Sequence, residues 1–174
     1  MKTTLDYLFR VEPPWIYIGF AEPERKNWNP QHYYGREGVH TCVRRLRGKK
    51  MKTTNALMDE FGAGLQFFDG FGENWPALGE CLECLDEWMP ASAYVLAVED
   101  AEDVLRDEQP DQMVALLKTL HDAGEWWAKP IASNGRFNRN AIPFHVLLNI
   151  QDGFSSDTDR IVRLADGSNV PVRR

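Results

Sequence analysis

The chain has 174 residues and a net charge of −6, with 43% hydrophobic and 11% aromatic residues. This length suits one domain with a sizeable core, and this composition excludes an intrinsically disordered chain. No stretch approaches the roughly 18 consecutive apolar residues of a membrane span, and the N-terminal residues lack an apolar run of signal-peptide length. We therefore expect a cytoplasmic protein whose three cysteines stay reduced.

The charge is distributed unevenly. Residues 1–50 carry ten Lys or Arg against five Asp or Glu (net +5), residues 51–125 carry three against 17 (net −14), and residues 126–174 carry seven against four (net +3). The acidic middle segment would repel nucleic acid, because each phosphate needs a cation to replace its counterion. It favours basic partners instead, and a well-solvated surface is the alternative.

The first 50 residues predict two strands separated by a loop. Residues 15–22, "WIYIGFAE", are a short run of strand formers, and "PERKNWNPQ" (23–31) is typical of a loop. In "VHTCVRRLRGKK" (39–50), apolar and polar side chains alternate at the start, which predicts a strand with one buried face that ends near Gly48.

Two helices joined by a turn are predicted next. Residues 53–68 place large apolar side chains at every third or fourth position, the pattern of an amphipathic helix. "FDGFGEN" (68–74) predicts a turn, in which Asn74 caps the following helix. That helix is predicted to span residues 75–88, with Pro76 tolerated in its first turn.

The second half of the chain continues the alternation. Residues 92–99 predict a buried strand, residues 110–128 a longer helix in which Gly124 is a candidate break, and residues 144–150 a last buried strand. The tail, residues 151–174, is expected to add a hairpin or to be flexible. Strands interleaved with helices indicate an α/β domain with a small, largely parallel sheet.

The helix predicted at residues 75–88 has an apolar stripe and an acidic side. At 100° per residue, the stripe comprises Leu78, Cys81, Leu82, Leu85 and Trp88. Glu80, Glu83 and Glu87 lie opposite, and Cys84 lies on the flank. Like charges three and four residues apart cost some stability, and no lysine relieves them. A docking cationic partner would explain their concentration; simple solvation of the outer side is the alternative.

Cys81 and Cys84 form a Cys-x-x-Cys pair. A redox pair of this kind needs its first cysteine exposed at a helix N-terminus, where the dipole lowers the thiol pKa, whereas Cys81 lies two turns inside the predicted helix beside glutamates. Zinc needs two further ligands, and no second paired spacing occurs among the candidates, Cys42, His40, His121 and His145. We therefore predict packed cysteines, no metal and no cofactor, with a thiol or zinc protein as an alternative.

The run "LQFFDGFGENWPALGECLECLDEWMPASAYVLAVEDAEDVL" resembles the barstar family of intracellular ribonuclease inhibitors. Its most specific piece is Phe71-Gly72-x-Asn74-x-x-Ala77-Leu78, with Leu82 following. Upstream, "VRRLRGKKMKTTNALMDEFGAGL" looks like the first strand, turn and first helix of that family. Downstream, "LLKTLHDAG" and "FHVLLNI" are similar to its last helix and last strand.

The resemblance implies a barstar-like domain at residues 39–150, with a three-stranded parallel sheet flanked by helices. Residues 1–38 are then an N-terminal extension packed on the core, which is able to add a strand. Residues 151–174 are the C-terminal tail.

The resemblance also implies a function. In the family, an acidic second helix and the loop before it plug the active site of a basic ribonuclease, with carboxylates in place of RNA phosphates. We expect a bacterial inhibitor or immunity protein of a ribonuclease or ribonuclease-type toxin, which is no enzyme and binds neither nucleic acid nor membrane. The candidate partner-binding residues are Phe71, Gly72, Asn74, Trp75, Glu80, Glu83 and Glu87.

Several family contact positions differ in this chain. The key aspartate, six positions after the asparagine, corresponds to Glu80, which keeps the charge on a longer side chain. A tyrosine of the loop is replaced by Gly70, an aspartate by Pro76, a tryptophan by Gly79, and a glutamate of the last helix by Thr119. The alternative therefore stays open that the chain is a barstar-fold interaction module with a different protein partner.

Overall fold

The computed structural model describes residues 5–20, 34–132, 138–150 and 156–173, and over these ranges strands alternate with helices. The elements are β1 (Ile16–Phe20), β2 (Thr41–Arg47), α1 (Thr54–Leu65), α2 (Trp75–Glu83), β3 (Ala93–Glu99), α3 (Pro110–Trp127), β4 (Phe144–Ile150), α4 (Ser156–Gly167) and β5 (Val172–Arg173). The loop predicted at residues 23–31 lies outside the described residues. No helix in the described part of the chain is long and apolar enough to cross a membrane.

The five strands form one parallel sheet in the order β2-β3-β4-β1-β5. The predicted α/β class with a parallel sheet is confirmed. The three strands expected from the family resemblance are β2, β3 and β4. The strand expected from the N-terminal extension is β1, which pairs with β4 so that Ile16 lies opposite Val146.

Over residues 156–173, the tail does not form the hairpin that was one of its two expected forms. It contains α4, followed by β5, which pairs in parallel with β1 and places Val172 opposite Ile16. The helix forms because Ile161 and Ala165, four residues apart, are both buried in the main core. Residues 151–155 lie outside the described residues.

Among the described residues, most buried apolar side chains belong to two clusters, one on each face of the sheet. Successive residues of a strand point to opposite faces, and Leu96 joins the larger cluster while Val95 joins the smaller one. The larger cluster receives apolar side chains from all four helices described above. The smaller cluster contains Leu8 from a 3-10 helix, Asp6–Phe9. The N-terminal residues thus cover part of the sheet face opposite the helices.

Trp15 joins the N-terminal segment to α3. Its side chain is 1% exposed, and its indole Nε1 donates to Oε1 of Glu125 at 2.7 Å. A Cβ atom on Gly124 would come within 2.2 Å of Cγ of Trp15. The expected break at Gly124 is therefore wrong: α3 runs through it to Trp127, and the missing side chain makes room for the indole.

We predict that Gly124→Ala lowers the free energy of unfolding by about 3 kcal/mol, the upper end of typical overpacking costs, because a rigid ring cannot yield to the new methyl group. Urea unfolding of the full chain measures this. Gly167→Ala at the end of α4 is the control, since no atom lies within 4 Å of its added Cβ; it should be neutral or slightly stabilising. Equal stability of the Gly124 variant and the parent would contradict this packing.

Candidate functional site

The start of α2 is fixed by a side-chain cap. Oδ1 of Asn74 accepts the backbone N–H of Ala77 at 3.0 Å, and its Nδ2 donates to the carbonyl of Gly72 at 2.8 Å. The predicted cap is therefore confirmed. Glu73, which lies between Gly72 and Asn74 in the sequence, has a left-handed backbone with φ of 49°. Both polar ends of the Asn74 amide are thus used to hold the turn against the first turn of the helix.

The end of α2 lies at Glu83, so the prediction of a helix to residue 88 is wrong. Cys84 leaves helical geometry, with φ of −110° and ψ of 18°, and a 3-10 turn follows at Leu85–Glu87. Carbonyls near a helix C-terminus lack intrahelical partners. Here two indoles of α3 satisfy them: Nε1 of Trp127 donates to the carbonyl of Leu82 at 2.8 Å, and Nε1 of Trp126 to that of Glu83 at 3.1 Å.

Glu80, Glu83 and Glu87 were expected to share one face, but the structure places them in two different surroundings. Glu80 and Glu87 border a groove, whereas Glu83 lies half-buried on the side of α3. Burial raises the pKa of the Glu83 carboxyl, and the nearby charges of Asp122 and Glu80 raise it further. The single acidic face predicted for residues 75–88 is therefore divided between the groove and α3.

The groove lies between α2, the turn before it and the segment after it, with a volume of about 600 Å³. Its aromatic lining consists of Phe68, Phe71 and Trp88. Glu80 and Glu87 are the two carboxylates of the lining, and both are exposed. Two glycines of the turn, one alanine and two cysteines complete the lining. The site combines a mostly apolar surface with two acidic groups, which suits a ligand that is apolar along its length and cationic at one end.

Most of the aromatic lining is fixed by internal contacts. Nε1 of Trp88 donates to the carbonyl of Leu65, the last residue of α1, at 2.9 Å. Phe67 packs edge-on against Trp88 and Phe71, with ring centroids 6.1 and 4.9 Å apart. Because an indole has one donor, Trp88 presents no unused N–H. The groove is thus formed before any partner binds.

Four of the seven candidate residues line this groove, namely Phe71, Gly72, Glu80 and Glu87. The other three do not. Asn74 caps α2, Glu83 lies towards α3, and Nε1 of Trp75 donates to Oε1 of Gln112 in α3 at 3.1 Å.

Phe68 is a groove residue that the sequence analysis missed. Its spacing from Leu65 placed it in the apolar stripe of the first helix, but α1 ends at Leu65, and Gln66 adopts a left-handed backbone. The side chain of Phe68 is consequently 60% exposed. No local signal distinguished Phe68, since other adjacent apolar pairs, Leu57-Met58 and Leu116-Leu117, are both buried in one core.

Comparison with known protein families agrees with this architecture. A sequence model of the family described as Barstar (barnase inhibitor) matches residues 41–149. The chain belongs to the barstar family. The match to the barstar model begins with β2 and ends within β4, so α2 and the groove lie inside it, whereas β1, α4 and β5 lie outside. No curated protein matches the chain closely enough to be reported as a relative.

The three cysteines of this barstar-family chain are free thiols. Cys81 is 5% exposed and Cys84 half-buried. Burial is the main cause that raises the pKa of both thiols, and nearby acidic groups add to it. Across the described ranges, no group of three or more His, Cys, Asp or Glu side chains is placed to hold a metal ion. Among the described residues, the surroundings of Cys81 and Cys84 thus offer neither a set of zinc ligands nor a group that would lower the pKa of either thiol.

We predict that Trp127→Phe costs about 1–3 kcal/mol of unfolding free energy, because it leaves the carbonyl of Leu82 buried without a donor. Trp126→Phe is the matched control: its side chain is 39% exposed, so water can replace its indole at the carbonyl of Glu83. Thermal and urea unfolding measure both variants. Equal losses would contradict the role assigned to the buried indole.

We also predict that iodoacetamide modifies Cys81 and Cys84 much more slowly in the folded protein than in urea at pH 8, since only the thiolate reacts and the pKa of both thiols is raised. Mass spectrometry after limited labelling resolves each cysteine. Rapid modification of Cys81 in the folded chain would show an activated thiol and favour the thiol alternative.

Proposed function

We propose that this protein inhibits a basic ribonuclease or ribonuclease-type toxin by covering its active site with α2 and the turn before it. The observation that carries the proposal is the placement of Glu80. This residue stands where the family has its key aspartate, exposed on a helix whose two ends are fixed, at the border of a preformed groove. A carboxylate held in this way is available to a partner without prior rearrangement.

The ion pairs within the protein support this assignment. Carboxylates near the carboxyl ends of β2 and β3 are paired internally, as Arg47 with Glu60 at 2.7 Å and Lys49 with Asp100 at 3.0 Å. Among the described residues, no cation lies within ion-pair distance of Glu80 or Glu87. These two carboxylates therefore keep their acceptor capacity for guanidinium or ammonium groups of another molecule.

The long-range charge favours the same kind of partner. Residues 51–125, which contain α2, carry a net charge of −14. A field of this sign accelerates association with basic proteins and weakens binding of RNA. In this proposal the chain is a cytoplasmic binding protein without enzymatic activity, and it acts as the immunity protein of a nuclease.

We predict that the full chain inhibits RNA cleavage by barnase, and that inhibition weakens as salt rises from about 0.01 to 0.15 M because exposed charges are screened. Glu80→Gln should raise the dissociation constant at least tenfold. Asp59→Asn, an exposed carboxylate of α1, removes the same charge away from the groove and should have little effect. Titration calorimetry and RNA-cleavage rates give the dissociation constants of both variants.

Absence of both binding and inhibition at low salt would contradict the ribonuclease as partner. It would favour the barstar-fold module with a different protein partner, for which the altered positions Gly70, Pro76, Gly79 and Thr119 are the supporting observation. Equal affinities of the Glu80 and Asp59 variants would contradict the assignment of Glu80 to the contact surface.

A further inference from the structure

Phe68 and Gly70 make a contact that shapes the open side of the groove. At 60% exposure, Phe68 is the most exposed large hydrophobic side chain among the described residues. Its ring lies against the bare α-carbon of Gly70, because a Cβ there would be 3.0 Å from Cε2 and 3.2 Å from Cδ2 of Phe68. A larger residue at position 70 would therefore displace this ring. The position of the Phe68 ring therefore depends on the absence of a side chain at Gly70.

The family resemblance expects a tyrosine at position 70, and this chain supplies its aromatic ring two residues earlier. We propose that Phe68 takes over this aromatic role, and that Phe68, Phe71 and Trp88 receive one guanidinium-bearing side chain of a basic protein partner between Glu80 and Glu87. The inference rests on the proposed function for the identity of that partner only. It assigns a binding role to Phe68 and names the chemistry of the group that enters the groove.

The lining favours a cationic occupant with an apolar stem. A guanidinium is planar and weakly hydrated, so it stacks on aromatic rings while it donates to carboxylates. An uncharged apolar side chain would cover the rings. It would also remove water from Glu80 and Glu87 without offering these carboxylates a hydrogen-bond donor, which is unfavourable. An anionic ligand such as an RNA phosphate would be repelled by the same two carboxylates. The apolar surface of the groove thus accepts several kinds of group, and the two carboxylates favour a cationic one among them.

The groove can be tested without a nuclease. N-acetylarginine amide is titrated into the ¹⁵N-labelled full chain, with N-acetylleucine amide as the uncharged probe, while backbone signals of Gly70 and Gly72 and the indole signal of Trp88 are followed by NMR. We expect saturable shifts with the arginine compound in the millimolar range, and no saturation in Phe68→Ala. Val11→Ala, another exposed apolar residue, is the control and should behave as the parent.

Three results would overturn the inference: no saturable shift at these signals, equal binding of the leucine compound, or unchanged binding in Phe68→Ala. Because Phe68 is mostly exposed, its truncation should leave the melting temperature nearly unchanged. A melting curve recorded on the same sample checks that lost binding is not lost folding.

The ribonuclease provides a second, separable measurement. Phe68→Ala should weaken binding to barnase about tenfold while the salt dependence stays that of the parent, since no charge is removed; Glu80→Gln should reduce the salt dependence. The double variant Phe68→Ala/Gly70→Tyr should recover most of the affinity, because it returns a ring to position 70. Failure of this rescue would contradict the proposed exchange of ring position.

Different results would contradict the ribonuclease as partner and the assignment of the groove. If the arginine compound fills the groove and barnase does not bind, the choice of ribonuclease is wrong and the groove assignment stands. If barnase binds and the arginine compound does not, or Phe68→Ala binds barnase as the parent does, the groove assignment is wrong and the inhibitory function stands.

Discussion

The two indole hydrogen bonds from α3 to the last carbonyls of α2 determine the shape of the candidate site. They supply hydrogen-bond donors to the carbonyls of Leu82 and Glu83. In a longer helix, backbone N–H groups of the next turn would bind these carbonyls instead. The chain then leaves the helix at Cys84, and the 3-10 turn carries Glu87 and Trp88 to the groove rather than around the helix axis. With Asn74 at the other end, α2 is a nine-residue helix held at both termini. The backbone of this surface is therefore held by contacts within the protein.

Sequence reasoning succeeded where local patterns decide the structure. The alternation of strands with helices, the cap at Asn74 and the buried strands at β3 and β4 follow from periodicity and capping chemistry, and the structure has all of them. It failed where distant residues decide. The apolar period continues past Glu83 and no glycine or proline marks a stop, while the donors that end α2 lie 43 and 45 residues further along the chain.

The same distinction explains the remaining corrections. Gly124 weakens a helix by its own propensity, and only the position of Trp15 shows why α3 needs it there. β5 has two residues and exists because β1 offers them an edge, which no local pattern of the tail could indicate. Phe68 left the apolar stripe because α1 ended one turn earlier than its spacing suggested. The features at Gly124 and β5 depend on contacts between segments distant in sequence, whereas α1 ends at a local left-handed residue, Gln66.

The positions at which this chain departs from its family are divided between two sides of α2. Gly70 opens the groove on one side, whereas a Cβ on Gly79 would lie 3.9 Å from Thr119, so these two substitutions adjoin each other between α2 and α3. On the α3 side, burial and the nearby charges of Asp122 and Glu80 raise the pKa of the Glu83 carboxyl. The groove side carries two exposed carboxylates, Glu80 and Glu87, and the exposed ring of Phe68. In the proposed function, this side of α2 therefore contributes more to the contact than the side that faces α3.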